Sequence, residues 1–367
     1  YMDAEQKVIE RREFTGLTAG RNHFDYNYIQ SDWSQDVQSA AVFANWRYSF
    51  SDKWSTSLGV RYSRESKDLS LTPLLGCAGP GFTGCATEKT DFSETWSNTS
   101  PRATLEYQAS SDVMYWLSWT RGFRSGNFNA RAPSLAGVGP ADPEQADQFE
   151  LGLKGDFLDG TLRTNISLFY TVYEDIQRIS AQEDELGNPL QVIRNAADAD
   201  IWGFEAEMTW LPTDHLTLQA SVGYVDPQFN KFTGLELDGQ PGLGPEDEEL
   251  AKQLKFERIP DYEYTLVGSY SWPLANFNGD LIARAQYTYR DDFFTEITNN
   301  PQRAIEGHGI FDASLDFATD KWRISLWGRN LNEETYAEII SQAFNLQRFG
   351  GQARTYGMEV SLSLIHI

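Results

Sequence analysis

Five side chains have the chemistry to hold a small, charged, partly planar ligand. Arg121 and Arg124 stand three residues apart in Thr120-Arg121-Gly122-Phe123-Arg124. A guanidinium fork matches the two oxygens of a carboxylate or the oxygens of a phosphate. Phe128 follows soon after, and Phe293 and Phe294 are adjacent to each other. Aromatic faces of this kind stack on planar groups. The competing reading is that the arginines pair with acids of their own chain and the phenylalanines pack within their own loops.

Other candidates are weaker. Glu246-Asp247-Glu248-Glu249 offers carboxylate oxygens to a divalent cation, but it lacks the spaced Asp/Asn and Gly pattern of a calcium loop. A solvated loop face accounts for the run. His23, His215, His308 and His366 are scattered, and with two cysteines they make no closed zinc set. No Ser/His/acid constellation is evident and no Gly-rich phosphate loop opens a helix, so catalysis has no support and no cofactor is called for. Glu205 and Glu207 lie two apart on one strand face and read as partners of lumen arginines or of an upstream plug rather than as an acid/base pair. Cys77 and Cys85 lie close together in a Gly/Pro-rich segment of an otherwise cysteine-free chain. They are expected to form a small disulfide loop in an oxidising compartment, the alternative being two free thiols.

The elements that carry these residues follow from composition and periodicity. The chain has 367 residues, 40% apolar and 14% aromatic, which is too apolar for a disordered polymer. Its net charge of −23 and lack of a basic stripe argue against nucleic acid as a partner. No apolar run is long enough for a transmembrane helix. A mean hydropathy of −0.49 suits a soluble protein, and equally a barrel whose strands show only alternate residues to lipid.

Strict alternation is the dominant signal. Leu216, Leu218, Ala220, Val222 and Tyr224 interleave with Thr217, Gln219, Ser221 and Gly223. Leu162, Ile166, Leu168, Tyr170 and Val172 share a face, with Thr164 as the exception, against Arg163, Asn165 and Ser167. Trp54, Leu58, Val60 and Tyr62 alternate with Ser55, Ser57, Gly59 and Arg61. A period of two means half-buried strands. About thirteen such strands are expected, many of roughly ten residues, the length that crosses a tilted bilayer path.

Connections alternate in length. Short ones fall at Ser51-Asp52-Lys53, Ser110-Ser111-Asp112, Leu158-Asp159-Gly160, Pro212-Thr213-Asp214 and Thr319-Asp320-Lys321. Long ones cover roughly 66–91, 126–144, 177–193, 226–257, 291–306 and 332–352, the one-sided asymmetry of outer-membrane barrels. Phe50, Trp54, Phe157, Trp210, Trp272 and Trp322 flank the short turns, as an aromatic girdle would. A soluble sandwich also alternates, but it rarely joins such long strands with long loops at one end. The apolar set Leu162, Leu168, Leu216, Leu218 and Val222 is therefore expected to face outward to lipid.

Several stretches resemble a known family. Thr120-Arg121-Gly122-Phe123-Arg124-Ser125-Gly126-Asn127-Phe128-Asn129 looks like the barrel of a TonB-dependent receptor. Pro143-Glu144-Gln145 through Glu150-Leu151-Gly152-Leu153-Lys154, Asn195-Ala196-Ala197 with Gly203-Phe204-Glu205-Ala206-Glu207, Gly328-Arg329-Asn330-Leu331-Asn332 with Tyr336, and Arg354-Thr355-Tyr356-Gly357 resemble successive strands of it, in the family's order. The resemblance implies an all-β, antiparallel transmembrane barrel in the bacterial outer membrane. The intact barrel would have about 22 strands, its lumen closed by an N-terminal plug that contacts TonB. It implies a ligand-gated importer of a scarce nutrient, ferric siderophores being the commonest cargo, with outer-membrane lipid and lipopolysaccharide, TonB and a small-molecule ligand as partners. A passive diffusion channel is the alternative, and an outer-membrane barrel enzyme a third.

Residues 1–361 are expected to be one partial barrel. Tyr1-Met2-Asp3-Ala4-Glu5 reads as the tail of a strand, with the plug and roughly eight or nine strands expected upstream. The final hexapeptide, 362–367, reads as a non-native tail translated from sequencing adapter, the alternative being an atypical last strand whose alternation Leu362, Leu364 and His366 continue.

Overall fold

The computed structural model describes residues 8–20, 23–74, 89–130, 135–183, 189–233, 248–342 and 346–363. Among these residues, fourteen strands form one antiparallel sheet. In sheet order they are β1 (Val8–Gly20), β2 (His23–Ser49), β3 (Trp54–Leu74), β4 (Thr90–Gln108), β5 (Val113–Arg124), β6 (Glu144–Phe157), β7 (Leu162–Glu183), β8 (Pro189–Thr213), β9 (Leu216–Phe232), β10 (Tyr262–Leu274), β11 (Gly279–Arg290), β14 (His308–Thr319), β15 (Trp322–Arg329) and β18 (Thr355–Leu362). Each strand pairs with its sequence neighbour in the sheet, so the topology is a pure meander. Two small hairpins sit in the long connections: β12 (Phe293–Phe294) with β13 (Ala304–Ile305), and β16 (Ala337–Gln342) with β17 (Leu346–Gly350).

The register aligns like with like. Leu105 pairs with Leu117, Leu117 with Leu151, Leu151 with Leu168, Leu168 with Phe204, Phe204 with Tyr224 and Tyr224 with Tyr262. One position away, on the other face, runs Glu106, Trp116, Gly152, Ser167, Glu205, Gly223 and Glu263. A one-residue slip would exchange the two faces, so the pattern fixes the register. Leu117, Leu151 and Leu168 are each more than half exposed, and Leu162, Leu216, Leu218 and Val222 are intermediate. None of the expected outward set is buried against a second sheet. The exposed apolar face has the chemistry that suits lipid, and the polar face that of a wet barrel interior.

The expected short turns join strand pairs at one end, and a 3-10 turn at Ala275–Phe277 adds a further one between β10 and β11. The long connections differ from the sequence expectation. β3 continues to Leu74, β7 to Glu183 and β9 to Phe232, so much of what reads as loop is ladder. The reason is solvation: beyond the membrane both faces of a hairpin meet water, and the period-two contrast disappears. A bulge between Tyr173 and Ile176, with Asp175 at φ 57°, re-aims the β7–β8 hairpin where it leaves the belt.

Buried apolar side chains collect in the long connections rather than across the sheet. One cluster joins Ile176, Ala197, Ala199, Phe229, Phe232 and Phe256; a second joins Leu69, Leu71, Trp96, Phe128 and Val138; a third joins Phe293, Ile305 and Ile340. Leu362 pairs with Trp322 and the Ser363 amide donates to the Lys321 carbonyl, so the start of the expected tail continues the last strand. Residues 364–367 and Tyr1–Glu5 lie outside the described residues, as do Cys77 and Cys85.

Candidate functional site

Glu144 opens β6 and is 2% exposed, an unusual position for a carboxylate. Three donors hold it: Arg124 Nη1 at 3.1 Å, the Tyr173 hydroxyl, and the Gln177 amide at 2.9 Å. Burial, then the hydrogen bond to Glu144, pushes the Tyr173 hydroxyl up to about 12. The Gln177 side chain donates to the carbonyls of Ser125 and Asp142, both at 2.9 Å. Asn195 brackets Asp142, accepting from its amide at 2.7 Å and donating to its carbonyl at 2.8 Å. These bonds tie the β5–β6 connection to the β7–β8 hairpin. Its inner turn drops Phe128 onto Trp96 and Phe92, ring centroids 5.9 and 6.0 Å away, and Lys67 Nζ donates to the Gly126 carbonyl at 2.8 Å.

The other side of the hairpin meets the β9–β10 connection. Phe256 stacks on Phe229 at 4.0 Å, and Glu257 pairs with Arg178. In that connection the Asp261 carboxylate at 2.9 Å holds the Lys255 ammonium above its ordinary range. The Arg258 amide donates to the Phe294 carbonyl at 2.7 Å, linking this loop to the next. Phe293 then packs with Ile305 and with Ile340 of the last long connection. The long connections thus form one continuous packed tier above the sheet.

A cavity of about 350 Å3 opens on the interior face beneath this tier. Its wall includes Phe293, His308, Tyr336, Glu338 and the ion pair of Arg290 with Glu263 at 2.9 Å. His308 stacks on Tyr336 with centroids 4.3 Å apart. A larger cavity of about 530 Å3 lies at the short-turn end, lined by Asn165, Glu207 and the Asp156–Arg163 pair, on the far side from the long connections.

The five residues singled out by sequence do not converge. Arg121 shares the parity of Leu117 and Trp119 and so stands on the apolar face, where Asp147 takes its Nε at 2.9 Å and its Nη2 at 2.7 Å. Trp119 Nε1 donates to the same carboxylate at 2.9 Å. Arg124, three residues on, stands on the opposite face with Glu144. Phe128 and Phe293 are buried in separate clusters, and Phe294 offers its carbonyl to Arg258. Of the acidic run, Glu249 pairs with Lys252 at 3.0 Å; Glu246 and Asp247 lie outside the described residues. Glu205 and Glu207 form no ion pair among the described residues, where Ser167 and Asn165 stand opposite them on β7, so of the two expected kinds of partner the lumen arginines are not found there. His308 was missed. Its parity at the start of β14, facing inward directly after a long connection, was the available signal.

The chain matches the family model described as TonB dependent receptor-like, beta-barrel, over residues 9–331. It is 24% identical over 238 residues to the metal-pseudopaline receptor CntO of Pseudomonas aeruginosa, covering 65% of this chain and 29% of that protein. It is 25% identical over 311 residues to the probable TonB-dependent siderophore receptor PiuA of Acinetobacter baumannii, covering 83% of this chain and 38% of that one. Its fold superposes on the ferric yersiniabactin uptake receptor FyuA from Yersinia pestis with a TM-score of 0.71 at 17% identity, over 91% of this chain and 47% of FyuA. The chain therefore spans less than half the length of these proteins. A meander of long strands with an exposed apolar face, a polar opposite face, one-sided long connections and this family match have one meaning: the chain belongs to the TonB-dependent receptor β-barrel family of the Gram-negative outer membrane.

Proposed function

We propose that this chain forms part of the barrel of an uptake receptor for a metal chelate, of which ferric siderophores are the leading class. The cavity under the loop tier carries the reading. It combines a stacked imidazole and phenol, His308 and Tyr336, with a guanidinium and carboxylates, on the interior face at the end where the long connections meet. Aromatic walls suit the planar arms of a chelate, and a few placed polar groups orient it. The relatives, a metal-pseudopaline receptor and a probable siderophore receptor, support the same class. Energy for import would come from TonB acting on a plug domain, and outer-membrane lipid would surround the apolar face. The Arg121–Asp147 pair beside Trp119, above the row of exposed leucines, suits contact with lipopolysaccharide head groups.

The test is uptake of radioactive iron by cells relying on the whole receptor, with wild type, His308→Ala and Tyr336→Ala compared. Removal of either ring is expected to weaken chelate binding by about 10-fold, the equivalent of roughly 1.4 kcal/mol. Unchanged binding in both variants contradicts this placement of the site. TonB-independent passage of chelates and of unrelated solutes alike points to a diffusion channel.

A further inference from the structure

The β7–β8 hairpin carries a second constellation, above the belt and built from residues that do not line the His308 cavity. Arg178 and Arg194 are direct cross-strand partners. Side chains so placed start about 5 Å apart, and like charges there repel. Only one of them has an acid partner among the described residues: Glu257 pairs with Arg178, and none pairs with Arg194. The Nε atoms of both arginines are buried without an acceptor, and one carboxylate oxygen of Glu257 is buried without a donor. Burial pushes the Arg194 guanidinium down from its ordinary range, with no acid to offset it. The two cations are nevertheless reachable: the Arg178 side chain is 25% exposed and Arg194 is of intermediate exposure.

An arrangement of two opposed cations and one anion is a net positive site in a chain that is otherwise strongly acidic. The hairpin is held rigidly on both sides. Gln177 and Asn195 fasten it to the β5–β6 connection, and Ile176 packs it on Phe229 and Phe256. The repulsion is therefore built in rather than relaxed by movement. Partly dehydrated guanidinium groups bind an oxyanion more strongly than fully hydrated ones, and a planar fork takes a carboxylate in two bonds. We propose that Arg178 and Arg194 form an anion-binding fork that takes a carboxylate arm of the captured chelate. The assignment of that anion to cargo rests on the uptake reading given above; the fork itself rests on the hairpin geometry.

The experiment is calorimetric titration of the whole receptor in detergent micelles with three probes: citrate, ferric citrate, and the neutral iron(III) tris(acetohydroxamate) complex. Citrate and ferric citrate are expected to bind. Arg194→Gln is expected to weaken both by about 10- to 100-fold, as loss of a charge-assisted bidentate contact does. Arg194→Lys, which keeps the charge and loses the fork, is expected to fall between. Heat-modifiable mobility on gels establishes that each variant is folded. Failure of both carboxylate probes to bind wild type overturns the proposal. So does an affinity unchanged within about two-fold in Arg178→Gln and Arg194→Gln. Iron uptake by cells separates this from the transport reading. Import of the neutral chelate, with no arginine-dependent citrate binding, removes the fork and keeps transport. Arginine-dependent citrate binding without import of any chelate keeps the fork and removes transport.

Discussion

Arg121 and Arg124, three residues apart on β5, stand on opposite faces of the sheet, each fastened to an acid of β6: Arg121 to Asp147 and Arg124 to Glu144. The first pair is on the apolar face and the second holds the loop tier. Their substitutions should therefore separate. In Glu144→Ala the buried Gln177 amide and the Tyr173 hydroxyl lose their acceptor, a cost of about 1–3 kcal/mol for a buried unsatisfied group. Amide hydrogen exchange in residues 125–143 is expected to speed up by about 10- to 100-fold. Arg124→Ala, whose side chain is largely exposed, should give a smaller effect of the same kind, and Arg121→Ala none in that segment.

The same node predicts a response to alkali. The Tyr173 hydroxyl is pushed up to about 12 by burial and by its bond to Glu144, from an ordinary value near 10. A group whose folded value is raised binds its proton more tightly in the native state. Its stabilisation is complete below pH 10 and is lost as the pH rises from 10 toward 12. Ultraviolet difference titration should show the late-titrating tyrosinate signal near pH 12 reduced by one tyrosine in Tyr173→Phe. Faster proteolysis of residues 125–143 should accompany its ionisation.

Gly152 and Gly122 test the interior face. A Cβ on Gly152 would lie 1.9 Å from the Trp116 ring, whereas one on Gly122 meets nothing nearer than a backbone oxygen at 4.0 Å. Trp116 lies flat across Gly152 while its indole donates to Glu150 at 2.8 Å. Gly152→Ala forces the ring away and is expected to cost about 1–3 kcal/mol, read as a lower urea midpoint. Gly122→Ala is expected to sit within about 0.5 kcal/mol of wild type, as substitutions away from tight contacts do.

Much of the sheet is legible in the sequence because lipid and interior impose opposite chemistry on alternate residues. Leu216, Leu218 and Val222 share one face for that reason, and the short turns announce themselves by Asp, Gly and Lys. The loop tier is not legible. Glu144, Tyr173 and Gln177 come from two strands and meet only because a bulge after Tyr173 turns the hairpin toward the β5–β6 connection. No local pattern marks that meeting. The separation of Arg121 from Arg124 was readable by parity once the strand was known to run unbroken through both. His308 offers no spacing partner in sequence, since Tyr336 reaches it from the connection that follows β15.

Placing a charge on each face of one strand tests the membrane assignment most directly. Leu168 and Ser167 are neighbours midway between the start of β7 and its bulge after Tyr173, Leu168 in the row of exposed leucines and Ser167 opposite Glu205 and Gly152. The receptor folded into phosphatidylcholine bilayers should lose about 2–4 kcal/mol on Leu168→Arg, the cost of arginine near the bilayer midplane. Ser167→Arg should cost little, because the interior is polar and Glu205 is within reach. Equal costs for the two, or a larger cost for Ser167→Arg, would contradict the assignment of the apolar face to lipid.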